Sequence, residues 1–267
     1  MITVRVTNAL GNQLFQYSCA RRLSIFRGTK LEIDTTWYSA PGRIEIDNLG
    51  LRHFVLSPEV SFGERTNVNI GGRIWHPFQH VLKQSKAYDD RVLTAGPRTY
   101  LIGWWQDHRY FSDVSTQIRQ ELQPSDPLSS HVEDLVNCVA YEQSVSLHVR
   151  HAGYPWPLPA SYFNEAISKV ARLVANPQFY VFSDDLEWVR RSIELPRSAV
   201  LVDWLPQDHP WCDLWLMSQC RHHIMSNSTF SYWGAWLASA PDGVVVAPSI
   251  WHFDDRIFPL PEHWTVI

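Results

Sequence analysis

The stretch SVSLHVRHAGY, Ser144–Tyr154, decides the reading of this chain. Val145–Val149 is a short apolar run, which predicts a buried strand. The run delivers His148, Arg150 and His151 to its carboxyl end and then breaks at His151-Ala152-Gly153. Next, Ser161–Val174 places Phe163, Ala166, Ile167, Val170, Leu173 and Val174 at helical spacing, with Ser161 as the expected N-cap. The alternation then repeats. Phe179–Phe182 reads as a strand, and Asp184 or Asp185 caps a short helix to Ser192. Ala199–Val202 is a strand, Trp211–Cys220 a helix and His223–Met225 a strand. Thr229–Ala238 is a helix, and Val244–Ala247 is a last strand closed by Pro248. Such alternation implies right-handed βαβ units and a parallel sheet with helices on both faces.

The first half opens the same way. Ile2–Val6 predicts a strand, Asn8–Asn12 a tight turn permitted by Gly11, Gln13–Phe26 a helix and Leu31–Ile33 a second strand. The region from Trp37 to Arg98 is less regular. Tyr100–Gly103 reads as a strand and Phe111–Leu122 as a helix ending before Pro124. The segment LQPSDPLSSH, Leu122–His131, combines proline, serine and aspartate and is the expected linker. Two domains follow, 1–125 and 126–267.

Bulk composition narrows the function. The 267 residues are 45% hydrophobic and 19% charged, as in a globular protein with a sizeable core. A net charge of −4 offers no basic field for nucleic acid, so an anionic ligand needs a few local cations and backbone amides. Cys19, Cys138, Cys212 and Cys220 lack CxxC spacing, and thiols in a reducing compartment are expected instead of a zinc site. The N-terminus reads as a strand and not as a signal peptide, and no apolar run reaches membrane-spanning length. A cytoplasmic protein is the expectation. Thirteen tryptophans serve the core first. Trp37, Trp75, Trp104 and Trp105 are candidate sugar platforms.

In an open α/β sheet, ligands bind outside the carboxyl ends of the strands. Arg150 and His151 follow the Val145–Val149 strand. Ser183, Asp184 and Asp185 follow Phe179–Phe182. Ser226, Asn227, Ser228 and Thr229 follow His223–Met225 and open a helix. Each set alone has a plain structural use, as a surface cation, a helix cap or an N-cap run. Together, a guanidinium, several hydroxyls and a helix N-terminus suit a diphosphate. A nearby aspartate suits a base or ribose. The Walker lysine loop and GxGxxG are missing, so a kinase, an ATPase or a dehydrogenase is poorly supported. At the first strand end, Asn12 and Gln13 start a helix whose Leu14, Phe15 and Tyr17 serve the core, and packing does not require either polar residue.

Together these blocks resemble the bacterial α-1,2-fucosyltransferases of glycosyltransferase family 11. LGNQLFQYSCA (Leu10–Ala20) resembles their N-terminal signature. FSDDLEWV (Phe182–Val189), the long block VDWLPQDHPWCDLWLMSQCRHHIMSNSTFSYWGAWLA (Val202–Ala238) and VVVAPSIWH (Val244–His252) resemble later blocks in order. The resemblance is weak between residues 37 and 98. It implies a GT-B fold, with two Rossmann-like domains facing a cleft, an acceptor-side N-terminal domain and a C-terminal donor domain. It implies inverting transfer of L-fucose from GDP-fucose to a sugar hydroxyl, without metal or cofactor, in synthesis of a surface polysaccharide such as the O-antigen. The implied partners are a nucleotide-sugar donor and an oligosaccharide or lipid-linked glycan acceptor, with peripheral inner-membrane contact for the latter.

One block departs. The family motif His-x-Arg-Arg-x-Asp stands here as His148-Val149-Arg150-His151-Ala152-Gly153. Arg150, His151 and Asn12 form the expected catalytic set. His148, Arg150, Ser183, Asp184, Asn227, Ser228, Thr229 and Gln13 form the expected substrate-binding set. Arg150 would stabilise charge growing on the leaving diphosphate, helped by Ser228 and Thr229. His151 could be a weaker phosphate contact or a general base. Gly153 can accept no proton, and Asp184, Asp203 and Asp107 are the alternative carboxylates. The altered loop leaves room for another GDP-sugar or nucleotide sugar as donor, and a non-catalytic nucleotide- or glycan-binding protein is the third reading.

Overall fold

The computed structural model describes residues 1–39, 49–64, 69–70, 73–74, 80–84, 87–203, 210–251 and 258–267. The chain divides into two compact units, Met1–Ser125 and Asp126–Ile267.

In the first unit, strands β1 (Ile2–Arg5), β2 (Leu31–Asp34), β3 (Val60–Gly63), β6 (His80–Lys83) and β7 (Thr99–Ile102) form a parallel sheet in the order β3-β2-β1-β7-β6. Strands β4 (Asn69–Ile70) and β5 (Arg73–Ile74) pair antiparallel apart from it. Helix α1 (Leu10–Phe26) is buried on nearly every side. It starts three residues before the expected Gln13. The turn into it is made by Asn8 at φ 62°, not by Gly11, which lies in the first helical turn. Asparagine tolerates this left-handed conformation better than most residues. Gln16 Oε1 accepts the Thr7 N–H at 2.9 Å and so holds the turn to the helix.

A short helix α2 (Arg91–Thr94) precedes β7. The helix expected over Phe111–Leu122 is shorter. Two 3-10 turns, His108–Tyr110 and Ser112–Val114, lead into α3 (Ser115–Glu121). Asp107 caps the first of these turns, its Oδ1 accepting the Arg109 N–H at 2.9 Å. Glu121 ends in a buried polar knot. Arg21 Nη2 reaches its Oε1 at 2.9 Å, and the Tyr17 hydroxyl donates to its Oε2 at 2.5 Å. The end of the unit is pinned, since Val55 N donates to Gln123 O at 2.9 Å and Ser125 N to His53 O at 2.9 Å. The expected linker is thus short. His131 already belongs to helix α4 (Ser130–Tyr141), capped by Ser129.

In the second unit, β8 (Ser144–Val149), β9 (Gln178–Ser183), β10 (Val200–Leu201), β11 (His222–Ile224), β12 (Val245–Ala247) and β13 (Thr265–Val266) form a parallel sheet. Their order is β10-β9-β8-β11-β12-β13. Counted along this unit, that is 3-2-1-4-5-6, the order of a dinucleotide-binding sheet, with its switch point between β8 and β11. Helices α5 (Ala160–Leu173), α6 (Leu186–Ser192), α7 (Pro210–Gln219) and α8 (Thr229–Leu237) fall between strands. Helix α5 starts one residue before the expected cap Ser161. Pro159 holds the N-cap place without a side-chain bond.

Strand β8 is buried along its whole length, and its two faces differ. Val145, Leu147 and Val149 enter the apolar core with Phe163, Val170, Val181 and Val246. Ser144, Ser146 and His148 line the other face and are bonded there. Ser144 Oγ donates to Val139 O at 2.7 Å, Ser146 Oγ meets His223 Nδ1 at 2.9 Å, and His148 Nδ1 meets Ser226 Oγ at 3.2 Å. Removing Phe163, almost fully buried between α5 and the sheet, would cost about 3–5 kcal/mol.

Most tryptophans lie where packing demands. Trp105, Trp233 and Trp251 are fully buried. Among the four candidate platforms Trp105 is therefore a core residue, the fate expected for most tryptophans. Trp104 is 46% exposed, Trp37 is half-buried, and Trp75 lies outside the described residues. Cys19, Cys212 and Cys220 are buried thiols, and Cys138 is exposed.

Candidate active site at the switch point of the second sheet

The carboxyl ends of β8, β9 and β11 carry the predicted residues, and the structure stitches their loops together. The parallel register sets Val149 beside Ser183, so the residues that follow each strand face one another. Asp184 Oδ1 accepts the backbone N–H of His151 at 2.7 Å and of Ala152 at 3.2 Å. Its Oδ2 pairs with the Arg150 guanidinium. One carboxylate thus fixes both the backbone of the loop after β8 and its cation. Asp184 has three partners within its own unit and clamps the loop after β8. Ser183 Oγ accepts the Asp185 N–H at 3.0 Å, which shapes the turn.

Asp185 caps α6, its Oδ1 accepting the Trp188 N–H at 2.9 Å. Its Oδ2 meets His151 Nδ1 at 2.9 Å. These two contacts, the Trp188 N–H first, hold the Asp185 carboxyl below its ordinary range. The His151 ring stacks on Trp188, centroids 4.2 Å apart at 17°. Neither Asp185 nor Trp188 was singled out as a partner of His151, because 34 and 37 residues separate them from it. Gly153 takes φ +60° with open space beyond its Cα, and Tyr154 N returns to His151 O at 3.2 Å.

The loop after β8 is also tied to the loop after β11. The Tyr154 hydroxyl donates to Asn227 O at 2.7 Å, and Asn227 Nδ2 donates to Trp156 O at 2.9 Å. The Arg150 guanidinium lies 5.7 Å from the Tyr154 ring centre, so the cation sits beside this junction. Ser228 is the N-cap of α8, its Oγ accepting the Phe230 N–H at 3.3 Å, and Thr229 is the first helical residue. Asn227 is 2% exposed, and its Oδ1 has no partner among the described residues. A buried amide oxygen left unpaired costs about 1–3 kcal/mol, which an arriving donor would relieve.

His148 differs from His151. It is buried, and burial together with the nearby Arg150 pushes its pKa from 6.5 to about 3. It is a neutral ring that holds Ser226. In the first unit, Gln13 is fully buried. Its Nε2 donates to Asn8 O at 2.9 Å and Tyr38 Oη at 2.7 Å, and its Oε1 accepts the Leu51 N–H at 3.3 Å. Those bonds make Gln13 a brace for the first strand's turn rather than the substrate contact expected. Asn12 is partly exposed and accepts from Gln106 Nε2 at 2.6 Å, a partner the sequence did not suggest. Asp107 pairs with Arg109 and Asp203 with Arg190, each within its own unit. Among the described residues no cluster of His, Cys, Asp or Glu could hold a metal ion.

Two parallel α/β units, the second with a nucleotide-binding strand order, define a GT-B type fold. Comparisons agree. The fucosyltransferase NodZ from Bradyrhizobium superposes with a TM-score of 0.55 at 14% identity, covering 89% of this chain and 92% of NodZ. The profile of glycosyl transferase family 11 matches residues 1–262. The chain belongs to glycosyl transferase family 11. An α-1,2-colitosyltransferase of Escherichia coli is 27% identical over 100% of this chain and 99% of its own length. The O-antigen biosynthesis glycosyltransferase WbnK of Escherichia coli is 24% identical over 92% of this chain and 93% of its own length.

Proposed function

We propose that this chain is an inverting α-1,2-glycosyltransferase that moves L-fucose, or a close deoxy analogue, from a GDP-sugar to a sugar hydroxyl. The observation that carries the proposal is the junction at the β8–β11 switch point, where Arg150, the N-terminus of α8 and the unpaired Asn227 Oδ1 meet. A guanidinium and a helix N-terminus complement a diphosphate, and an unpaired amide oxygen accepts from a nucleoside or sugar hydroxyl. As the bond to the anomeric carbon breaks, negative charge grows on the diphosphate, and Arg150 stabilises that charge more than the ground state. Asp184 keeps the guanidinium oriented until the donor arrives. The donor is held by protein groups alone, without metal or cofactor.

Fucose is supported by the family and by NodZ, which was studied with GDP-fucose. Colitose is the second reading, favoured by the full-length match to an α-1,2-colitosyltransferase. Colitose is 3-deoxy-L-fucose, so the two donors differ by one hydroxyl. The second unit is the donor domain and the first the acceptor domain. The acceptor is a surface-polysaccharide glycan, carried on a lipid at the cytoplasmic face of the inner membrane. Trp104, exposed in the first unit, is a platform for it. Among the described residues no helix is long and apolar enough to cross a membrane.

Calorimetric titration with GDP, UDP and dTDP, then turnover of GDP-fucose against GDP-colitose with and without EDTA, tests the proposal. Selective GDP binding with EDTA-insensitive turnover of one donor is expected. Failure to bind GDP would overturn it.

A further inference from the structure

The loop after β8 carries a second titratable group that the diphosphate contact does not use. His151 Nδ1 is 2.9 Å from Asp185 Oδ2, its ring stacks on Trp188, and its backbone N–H is held by Asp184. Asp185 is fixed in turn by its cap to the Trp188 N–H. The carboxylate accepts a hydrogen bond from Nδ1–H, which selects the tautomer whose Nε2 carries a lone pair. Among the described residues Nε2 has no partner, and the side chain is 27% exposed. An imidazole with one nitrogen tied to a carboxylate, its plane fixed by stacking and its other nitrogen open is built to accept a proton. The charged groups around it are Asp185 and Arg191 from α6 and its cap, Asp184 from the loop after β9, and Arg150 from its own loop.

We propose that His151, positioned by Asp185, is the proton acceptor for the attacking sugar hydroxyl. This rests on the reading of the chain as a GDP-sugar transferase. In the step, the acceptor oxygen bonds to the anomeric carbon. The bond from that carbon to the β-phosphate oxygen breaks, and its electron pair leaves with GDP. The hydroxyl proton passes to His151 Nε2. The imidazolium is balanced by Asp185 and returns the proton to water. Asp185 touches no reacting atom and is a positioning residue. A transferase whose loop carried arginine at this place would find its proton acceptor elsewhere, so this base belongs to the sequence of this chain.

The test measures kcat against pH at saturating donor, alongside GDP affinity by calorimetry, for the wild type, His151→Ala and Asp185→Asn. Asparagine still caps a helix, so Asp185→Asn removes the charge and keeps the cap. Expected for His151→Ala is a kcat loss of about 10²–10⁴-fold. Its GDP affinity should be unchanged, its low-pH limb lost, and added imidazole should partly restore the rate. Expected for Asp185→Asn is a lowered kcat with unchanged GDP affinity and a smaller solvent isotope effect on kcat, because the ring is no longer held in the tautomer that leaves Nε2 open. A His151→Ala variant that binds GDP far more weakly yet keeps kcat and the low-pH limb would make His151 a phosphate contact and overturn the proposal. Unchanged kinetics would overturn it as well. A wild type that binds no GDP is a different failure, that of the transferase reading itself.

Discussion

Lowering the pH from 8 to 5 should loosen the second unit through two buried histidines. Burial and Arg150 push His148 from 6.5 to about 3, and burial and His222 push His223 from 6.5 to about 3. Both pKa values are depressed in the folded state. The unfolded chain therefore binds more protons below pH 6.5, and stability present above that pH is lost as the pH falls toward 3. At pH 5 each histidine costs about 2 kcal/mol, fixed mainly by the unfolded value because the folded one already lies well below 5. Asp213 opposes this. Burial raises it from 3.8 to about 6, so the folded state takes up its proton first and recovers about 1 kcal/mol by pH 5. These three groups leave a loss of about 3 kcal/mol, to which His222, also lowered by burial, adds. Hydrogen exchange of the β8 and β11 amides, corrected for intrinsic rates, reads the opening free energy at both pH values. In His223→Gln the loss should shrink by about 2 kcal/mol. An opening free energy that stays level from pH 8 to 5, or an equal loss in the variant, would refute the reasoning.

Three further outcomes are expected. Arg150→Ala should lower turnover about 10²–10³-fold with unchanged circular dichroism, since one contact to the developing charge is lost. Glu121→Ala should destabilise the first unit by about 1–3 kcal/mol in urea unfolding, because the buried Arg21 and the Tyr17 hydroxyl lose their main partner and Arg21 keeps only the exposed Glu59. Gly153→Ala should cost about 1–2 kcal/mol in the same assay, entirely from its φ of +60°, because no atom lies near the added methyl; Gly153→Asn should cost less.

The second unit was legible because each of its central strands is a short apolar run followed by a helix with apolar spacing. That pattern placed Arg150, Ser183 and Ser228 at strand ends before any coordinates. The first unit was harder to read for a physical reason. Strands β3 and β6 are the edges of their sheet, and each exposes an apolar residue, Phe62 and Val81, so neither shows a buried alternation. The turn before α1 was assigned to Gly11 because glycine is the ordinary signal, whereas Asn8 does the work with a side chain that tolerates it. The site's internal wiring was not readable at all. Whether Asp184 or Asp185 meets Arg150 or His151 depends on the register of β8 against β9, which pairs Val149 with Ser183. Likewise, sequence could mark His148 as a polar residue at a strand end. Only its full burial against Ser226 makes it a neutral brace.

The bonds from Asp184 to the His151 and Ala152 amides have an evolutionary corollary. The course of this loop is dictated by a carboxylate on the neighbouring strand's end, through backbone atoms that every residue except proline possesses. The side chain at 151 can then be exchanged without redrawing the loop that presents it, whereas 153, at φ +60°, favours glycine. Shape and reactivity at 151 thus rest on different atoms: the Asp184 carboxylate holds the frame, and the side chain alone decides the chemistry beside Arg150.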